Sequence, residues 1–516
     1  MTARAGRHAG KRLSPWRVTL AVSVLAAAVV AAVVVPFVVG RSTAGETAPL
    51  GPRWFGGYVD VTAAPDAELP GGPAGSPQNL LLSFVVAAGA DDCAPSWGGY
   101  HDLDEAAAAL DLDRRIARVR QGGSDVAVSF GGALNTELAV ACTDIDELTA
   151  AYRAVIDRYD LSLIDLDLER DNLADGQAGY RRAQAIAALQ EERASTEHPL
   201  QVWLTLPVGT EGLTEDGLAA AEQLYVAGVH LAGVNVMTMD FGVDLDGRSM
   251  SAAAIAALHA THDQLARLTG RYDVDLPAGD VWSILGATPM IGQNDVAGEV
   301  FTVDDATALN AFANAQGMAR MSMWSLGRDR TCGPNYPDIR VVSDSCSGVD
   351  QGDASFAEIL ATGFTDAADA SPPDGPTPTS TPRVQVTDDP GTSPYPVWTE
   401  RSSYSTGVKV VWHGNVYVAK WWTRGDPEPD DPTLTSAETA WTLIGPVLPG
   451  EAPYAPPTLP PGTYPEWTPD VVYQAEETVL RDGIPFVAQW WNQGADPLEA
   501  LTDHDRAPWR MLTPTR

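Results

Sequence analysis

One stretch constrains this chain more than any other: Ser162-Leu163-Ile164-Asp165-Leu166-Asp167-Leu168-Glu169. Carboxylates stand at i, i+2 and i+4, with apolar residues between them. Such alternation is the signature of a β-strand, whose side chains point to opposite faces. The acids then share one face and crowd each other, so at least one should hold its proton near neutral pH. A protonated acid beside ionised ones is what cleavage of a glycosidic bond needs. A solvated acidic face on an edge strand would show the same spacing. The flanks argue against it: helical patterns precede (Asp146 to Tyr159) and follow (Tyr180 to Glu192). A strand between two helices in α/β order is buried on both faces.

The rest of the span from Arg53 to about Gly363 repeats that order. Strand-like runs cover 54–61, 80–88, 125–133, 162–169, 200–208, 233–241, 281–291 and 318–326. Helical patterns lie between them, at 103–120, 216–227, 252–268 and 304–316 among others. Eight strands alternating with helices over roughly 300 residues is the count for a (β/α)8 barrel. The competing doubly wound sheet would show a glycine-rich phosphate loop after its first strand, which is missing here.

Barrel sites lie at the C-terminal strand ends. There the third strand carries Ser129-Phe130-Gly131-Gly132, the sixth Met237-Thr238-Met239-Asp240, and the eighth Trp324. With Asp-x-Asp-x-Glu on the fourth, this set resembles glycoside hydrolase family 18, the chitinase family. The family's fuller signature begins Asp-Gly where this chain has Ser162-Leu163, and its sixth-strand Tyr is Met239 here. The resemblance implies a retaining, substrate-assisted hydrolysis of β-1,4-linked N-acetylglucosamine polymers. Glu169 is then the general acid, Asp167 orients the N-acetyl group, and Asp165 shares charge or a proton with Asp167. Asp240 and Trp324 position the sugar, with Met237, Met239, Ser129 and Gly131 lining its site. No cofactor or metal is implied. The readings kept beside it are a non-catalytic chitin-binding barrel and an endo-β-N-acetylglucosaminidase acting on other glycans.

A Pro/Ser/Thr-rich linker spans 365–394, and an internal repeat follows at 395–446 and 464–513, separated by 447–463. Each copy carries Ala-x-Trp-Trp: Trp421-Trp422 in the first, Trp490-Trp491 in the second. Part of the aromatic content must staple so small a β-fold. An adjacent Trp pair on a strand cannot point both rings into one core, so one faces out, where a flat ring can stack on a sugar. The repeats resemble chitin-binding modules of carbohydrate-binding families 5 and 12, which implies binding through these Trp pairs with Tyr404 and Tyr473 as helpers.

A formal charge of −35 argues against nucleic acid or anionic lipid as partner. The N-terminus is the basic exception: residues 1–17 hold five Lys and Arg, and an uncharged run follows from Val18 to Gly40. Its length fits a signal anchor with the N-terminus inside the cell, followed by a spacer at 41–52. A long signal cleaved near Ala44 is the alternative, and both export the remainder. Four cysteines fit an exported monomer with two disulfides. In the barrel order, the loops after strands two and three are neighbours, which pairs Cys93 with Cys142 and leaves Cys332 to Cys346.

Overall fold

A computed structural model of the chain describes residues 53–63, 69, 79–196, 199–242, 245, 247–334, 341–364, 386–400, 402–424, 427–501 and 507–512. The run 18–40 and its flanks lie outside them. No helix among the described residues is long and apolar enough to cross a membrane.

Eight parallel strands form a closed barrel: β1 (Trp54–Asp60), β2 (Asn79–Gly89), β3 (Val126–Gly131), β4 (Leu163–Asp167), β5 (Gln201–Gly209), β6 (Leu231–Met237), β7 (Leu285–Thr288) and β8 (Arg320–Met323). Each pairs with its neighbour, and β1 pairs with both β2 and β8. The outward residues are apolar and buried, as with Ile164 and Leu166 on β4. They pack under helices such as α3 (Ile145–Arg158), which buries Leu148, Tyr152, Val155 and Ile156 on one face. Asp144 starts that helix by accepting the N–H groups of Asp146 and Glu147.

The barrel interior is different. Tyr58, Ser129, Asp165, Thr205, Asn235, Thr288 and Arg320 are all buried there in one hydrogen-bonded layer. Below it Trp54 and Trp203 meet edge to face at 5.7 Å. Gly233 makes room for them, since a Cβ there would lie 2.4 Å from the Trp203 ring.

Several element bounds differ from the periodicity reading. The helix expected over 103–120 is two helices, α1 (Leu103–Ala109) and α2 (Leu112–Gln121). Asp111 between them has φ of 49°, a left-handed backbone that ends one helix before the next begins. The seventh strand is shorter than 281–291, because Val281–Ile284 is a 3-10 turn. The cysteines pair as Cys93–Cys142 and Cys332–Cys346.

The two repeats share one small β-fold. In the first, strands Lys409–Trp412, Asn415–Ala419 and Trp441–Pro446 form an antiparallel sheet. In the second, Thr478–Arg481, Ile484–Ala488 and Trp509–Met511 do the same. Both hairpins turn on two residues with positive φ, His413-Gly414 and Asp482-Gly483, the requirement of a tight type I′ turn. Of the linker expected over 365–394, residues 365–385 lie outside the described residues; 386–394 and the separating segment 447–463 are tied down. Asp388 accepts the His413 and Gly414 N–H groups, the Tyr454 N–H reaches the Ser393 carbonyl, and the Leu459 N–H reaches that of Gly483.

Candidate active site

The candidate site grows from β4. Asp165 and Asp167 point into the barrel and are 0% and 3% exposed. Asp165 sits in the polar layer. Its Oδ2 accepts from Tyr58 Oη at 2.8 Å and Ser129 Oγ at 2.8 Å. Its Oδ1 accepts from Thr205 Oγ1 at 2.7 Å and Arg320 Nη1 at 2.7 Å. The Arg320 guanidinium is itself fully buried, 4.8 Å over the Trp54 ring and 5.2 Å over that of Trp203. A buried charge without such a partner would be prohibitively costly. The donors on Asp165 are therefore Arg320 and three hydroxyls.

Asp167 is the next inward residue. Its Oδ1 is buried with no hydrogen-bond partner. Burial pushes its pKa well above the usual carboxylate range, and the charges of Glu169 and Asp165 push the same way, against Arg320. Asp167 therefore holds its proton more tightly than an ordinary carboxyl, through burial first and the neighbouring acids second.

Glu169 lies beyond the strand end, correcting its assignment to the strand. It is half-buried and occupies the N-cap position of the short helix Arg170–Ala174, yet its side chain makes no capping hydrogen bond. The carboxyl is left available. Burial raises its pKa to about 7; Arg170 pulls it down, while Asp240 and Asp295 push it up. The helix behind it is anchored from β3's loop, where the Glu137 N–H donates to Asn172 Oδ1 at 3.2 Å. Glu137 in turn pairs with Arg182 at 2.7 Å, both buried.

Gly131 and Gly132 set the spacing. Their φ angles are 103° and 84°. A Cβ on Gly131 would lie 2.1 Å from the Asp167 carbonyl, and one on Gly132 would lie 2.9 Å from the Phe84 ring. Ser129 and Gly131 are buried against Asp165 and the Asp167 backbone. This corrects their assignment as residues that line the sugar.

Trp324 is half-buried, stacked on Phe84 at 5.6 Å with 19° between planes. Met237 and Met239 are half-exposed at and just past the end of β6. Asp240, with φ of 48°, accepts the Val296 N–H at 2.9 Å. Glu299 accepts the N–H groups of Phe241 and Gly242. The loops after β6 and β7 are thereby clamped together, and burial raises the Asp240 pKa. Tyr58, Phe84, Thr205 and Arg320 escaped the sequence reading. Arg320 had a signal: one cation in the run Met-Ala-Arg-Met-Ser-Met, where a barrel strand has no use for charge unless it faces a carboxylate.

In the modules, both rings of each pair are exposed: Trp421 43%, Trp422 62%, Trp490 45% and Trp491 59%. The first pair follows the strand that ends at Ala419 and the second the strand that ends at Ala488, so pleat alternation does not govern them. Tyr404 and Tyr473, expected as binding helpers, are core residues instead. Each packs edge to face on a buried Trp, and each hydroxyl accepts a backbone N–H, from Thr399 and Thr468.

No family model matches the chain. It is 33% identical over 265 residues to a probable bifunctional chitinase/lysozyme of Escherichia coli, covering 50% of this chain and 28% of that protein. It is 34% identical over 191 residues to Endochitinase 11 of Metarhizium anisopliae, covering 36% of each. The chain therefore spans about a third of the curated relatives it matches. Its fold is similar to active domain 2 of a thermostable chitinase from Pyrococcus furiosus, solved with chito-oligosaccharides. There the identity is 25% and the TM-score 0.51, over 62% of this chain and 96% of that one. The proteins this chain is similar to, in sequence and in barrel fold, are chitinases, which are glycoside hydrolases.

Proposed function

We propose that the chain is a chitinase of the family 18 kind, cleaving β-1,4-linked N-acetylglucosamine polymers with retention of configuration. One observation carries the reading. Glu169, an uncommitted carboxyl with a pKa of about 7, stands at the barrel mouth above the buried Asp167, whose pKa burial raises and whose Oδ1 lacks a partner. A general acid works best with its pKa near the working pH. Glu169 gives its proton to the glycosidic oxygen as the bond to the anomeric carbon breaks. The substrate's N-acetyl oxygen attacks that carbon, so no enzyme nucleophile is needed. Asp167 Oδ1 accepts the N-acetyl N–H and holds the group for attack. Glu169, now ionised, takes a proton from the water that opens the oxazolinium. Trp324 supports the sugar ring, and Asp240 fixes the rim beside Glu169. Incubation with chitin oligomers tests the reading. It predicts shorter oligomers of retained anomeric configuration, and inverted product would overturn the mechanism.

The exposed Trp pairs are proposed as chitin platforms, since rigid aromatic faces stack on sugars at little entropic cost. Export is proposed from the basic start and the apolar run after it, and the disulfides suit that compartment.

A further inference from the structure

Helix α2 lies on the outside of the barrel, where an amphipathic helix turns its arginines to water. Arg114 does not do so: it is only 4% exposed. Its guanidinium forms a two-pronged ion pair with Glu451, with one prong at 3.0 Å, and donates to the Pro446 carbonyl at 2.6 Å. Both partners belong to the end of the first repeat and the segment after it. One turn along α2, Arg118 donates to the Leu443 carbonyl.

The start of α2 is committed in the same direction. An Asp before a helix ordinarily caps the first free N–H groups. Asp111 makes no such bond, and its carboxylate instead meets Lys409 of the first repeat at 2.6 Å. The approach is close enough to need glycine: a Cβ on Gly445 would lie 2.5 Å from the Arg114 carbonyl. The second repeat has Thr478 at the strand position of Lys409, so the two copies are not equivalent here.

We infer that α2 is a docking face for the first module, and that this clamp fixes the Trp421-Trp422 platform to the catalytic body for work on solid polymer. The inference rests on the chitinase reading for its functional half alone. Two bodies held in one geometry act at a fixed effective concentration, whereas a long flexible tether dilutes it. Soluble oligomers need no such hold.

The test uses the full chain with Glu451→Arg, which sets two cations face to face, and the reciprocal pair Arg114→Glu/Glu451→Arg. Hydrogen exchange reads the clamp, and hydrolysis is measured on a soluble oligomer and on solid chitin. In E451R, exchange should rise in 112–121 and 441–451 while the barrel strands stay protected. Activity on solid chitin should fall by about 10-fold, well within the gain that tethering provides. Activity on the oligomer should stay within about 2-fold, because the pair lies on the outer helix layer and shares no partner with the β4 acids. The reciprocal pair should recover protection and solid-phase activity together. Unchanged exchange in E451R overturns the clamp. Raised exchange with undiminished solid-phase activity overturns its function. If the unmutated chain cleaves no oligomer, the chitinase reading fails, and the exchange data still decide the clamp.

Discussion

The barrel and the modules solve opposite problems with their polar and apolar groups. The barrel hides ionisable groups: Asp165, Asp167 and Arg320 are buried in an interior that most folds would fill with hydrocarbon. The modules display hydrocarbon: two Trp pairs stand in water on folds that bury Tyr404, Tyr473, Trp441 and Trp509. In each case the unusual placement costs stability and must be repaid by what it does. Buried charge tunes proton affinity, which chemistry requires. Exposed rings offer contact area, which adhesion requires. The contrast predicts that mutations of the barrel acids change rates and pH dependence, whereas mutations of the exposed module rings change only retention on the polymer.

Glu169→Gln makes the sharpest cut. Hydrolysis should drop by roughly 10²–10⁴-fold, the usual yield of general acid catalysis, while chitin-bead binding stays intact. A second consequence concerns stability. Below pH 4.5 the group is protonated in the folded and unfolded chain alike. Between about 4.5 and 7 only the unfolded chain ionises, so folding loses stability as pH rises, by roughly 3 kcal/mol in full. Glu169→Gln should therefore stabilise the chain at pH 8 and leave it unchanged at pH 4. Denaturant melts at the two pH values check this; equal shifts would mean that the glutamate is not strained by burial.

Arg320→Met comes next. It strands Asp165 in the barrel, at about 3–5 kcal/mol. Adding Asp165→Asn removes the stranded charge and should recover part of that loss, a coupling that urea melts of the four-member cycle measure. Additive losses would mean that the pair is not the organising contact of the interior.

Much of this architecture was legible in the chain. Continuous apolar runs such as Leu80 to Ala88 suit doubly buried strands, and eight strand-like runs in α/β order leave few topologies. The inward pair Asp165 and Asp167 followed from alternation. What failed was alternation extended past the strand ends. Glu169 sits on a helix cap and the Trp pairs sit beyond their strands, because hydrogen-bonded pairing, which imposes the two-residue period, stops before them. The partners of Asp165 come from four other strands, β1, β3, β5 and β8, and a single strand's pattern carries no information about its neighbours across the barrel.

For the modules, exposure of both rings predicts that Trp421→Ala and Trp422→Ala each weaken binding without unfolding the fold. A well-packed aromatic contact is worth about 1–2 kcal/mol, or roughly 5–30-fold. Retention of the full chain should fall less, since the second module remains. Chitin-bead pull-down with one module silenced separates the contributions. If either ring proves neutral in binding, the pair does not act as one platform.

The smallest effect is the most discriminating. Tyr404 was expected to touch sugar, and the structure gives its hydroxyl to the Thr399 backbone, accepting that N–H at 2.7 Å, with the ring on Trp441. Tyr404→Phe keeps the ring and removes both bonds of the hydroxyl, the one accepted from the Thr399 N–H and the one donated to the Thr399 carbonyl at 3.2 Å. Module stability should fall by about 1 kcal/mol, because water partly replaces the two lost bonds at this part-buried site. Affinity of the folded module for chitin should not change, because the hydroxyl faces the protein. A binding isotherm below the melting range and a thermal melt of the same variant separate the two. Weaker binding at unchanged stability would move Tyr404 to the display side and dissolve the division between stapling and contact aromatics.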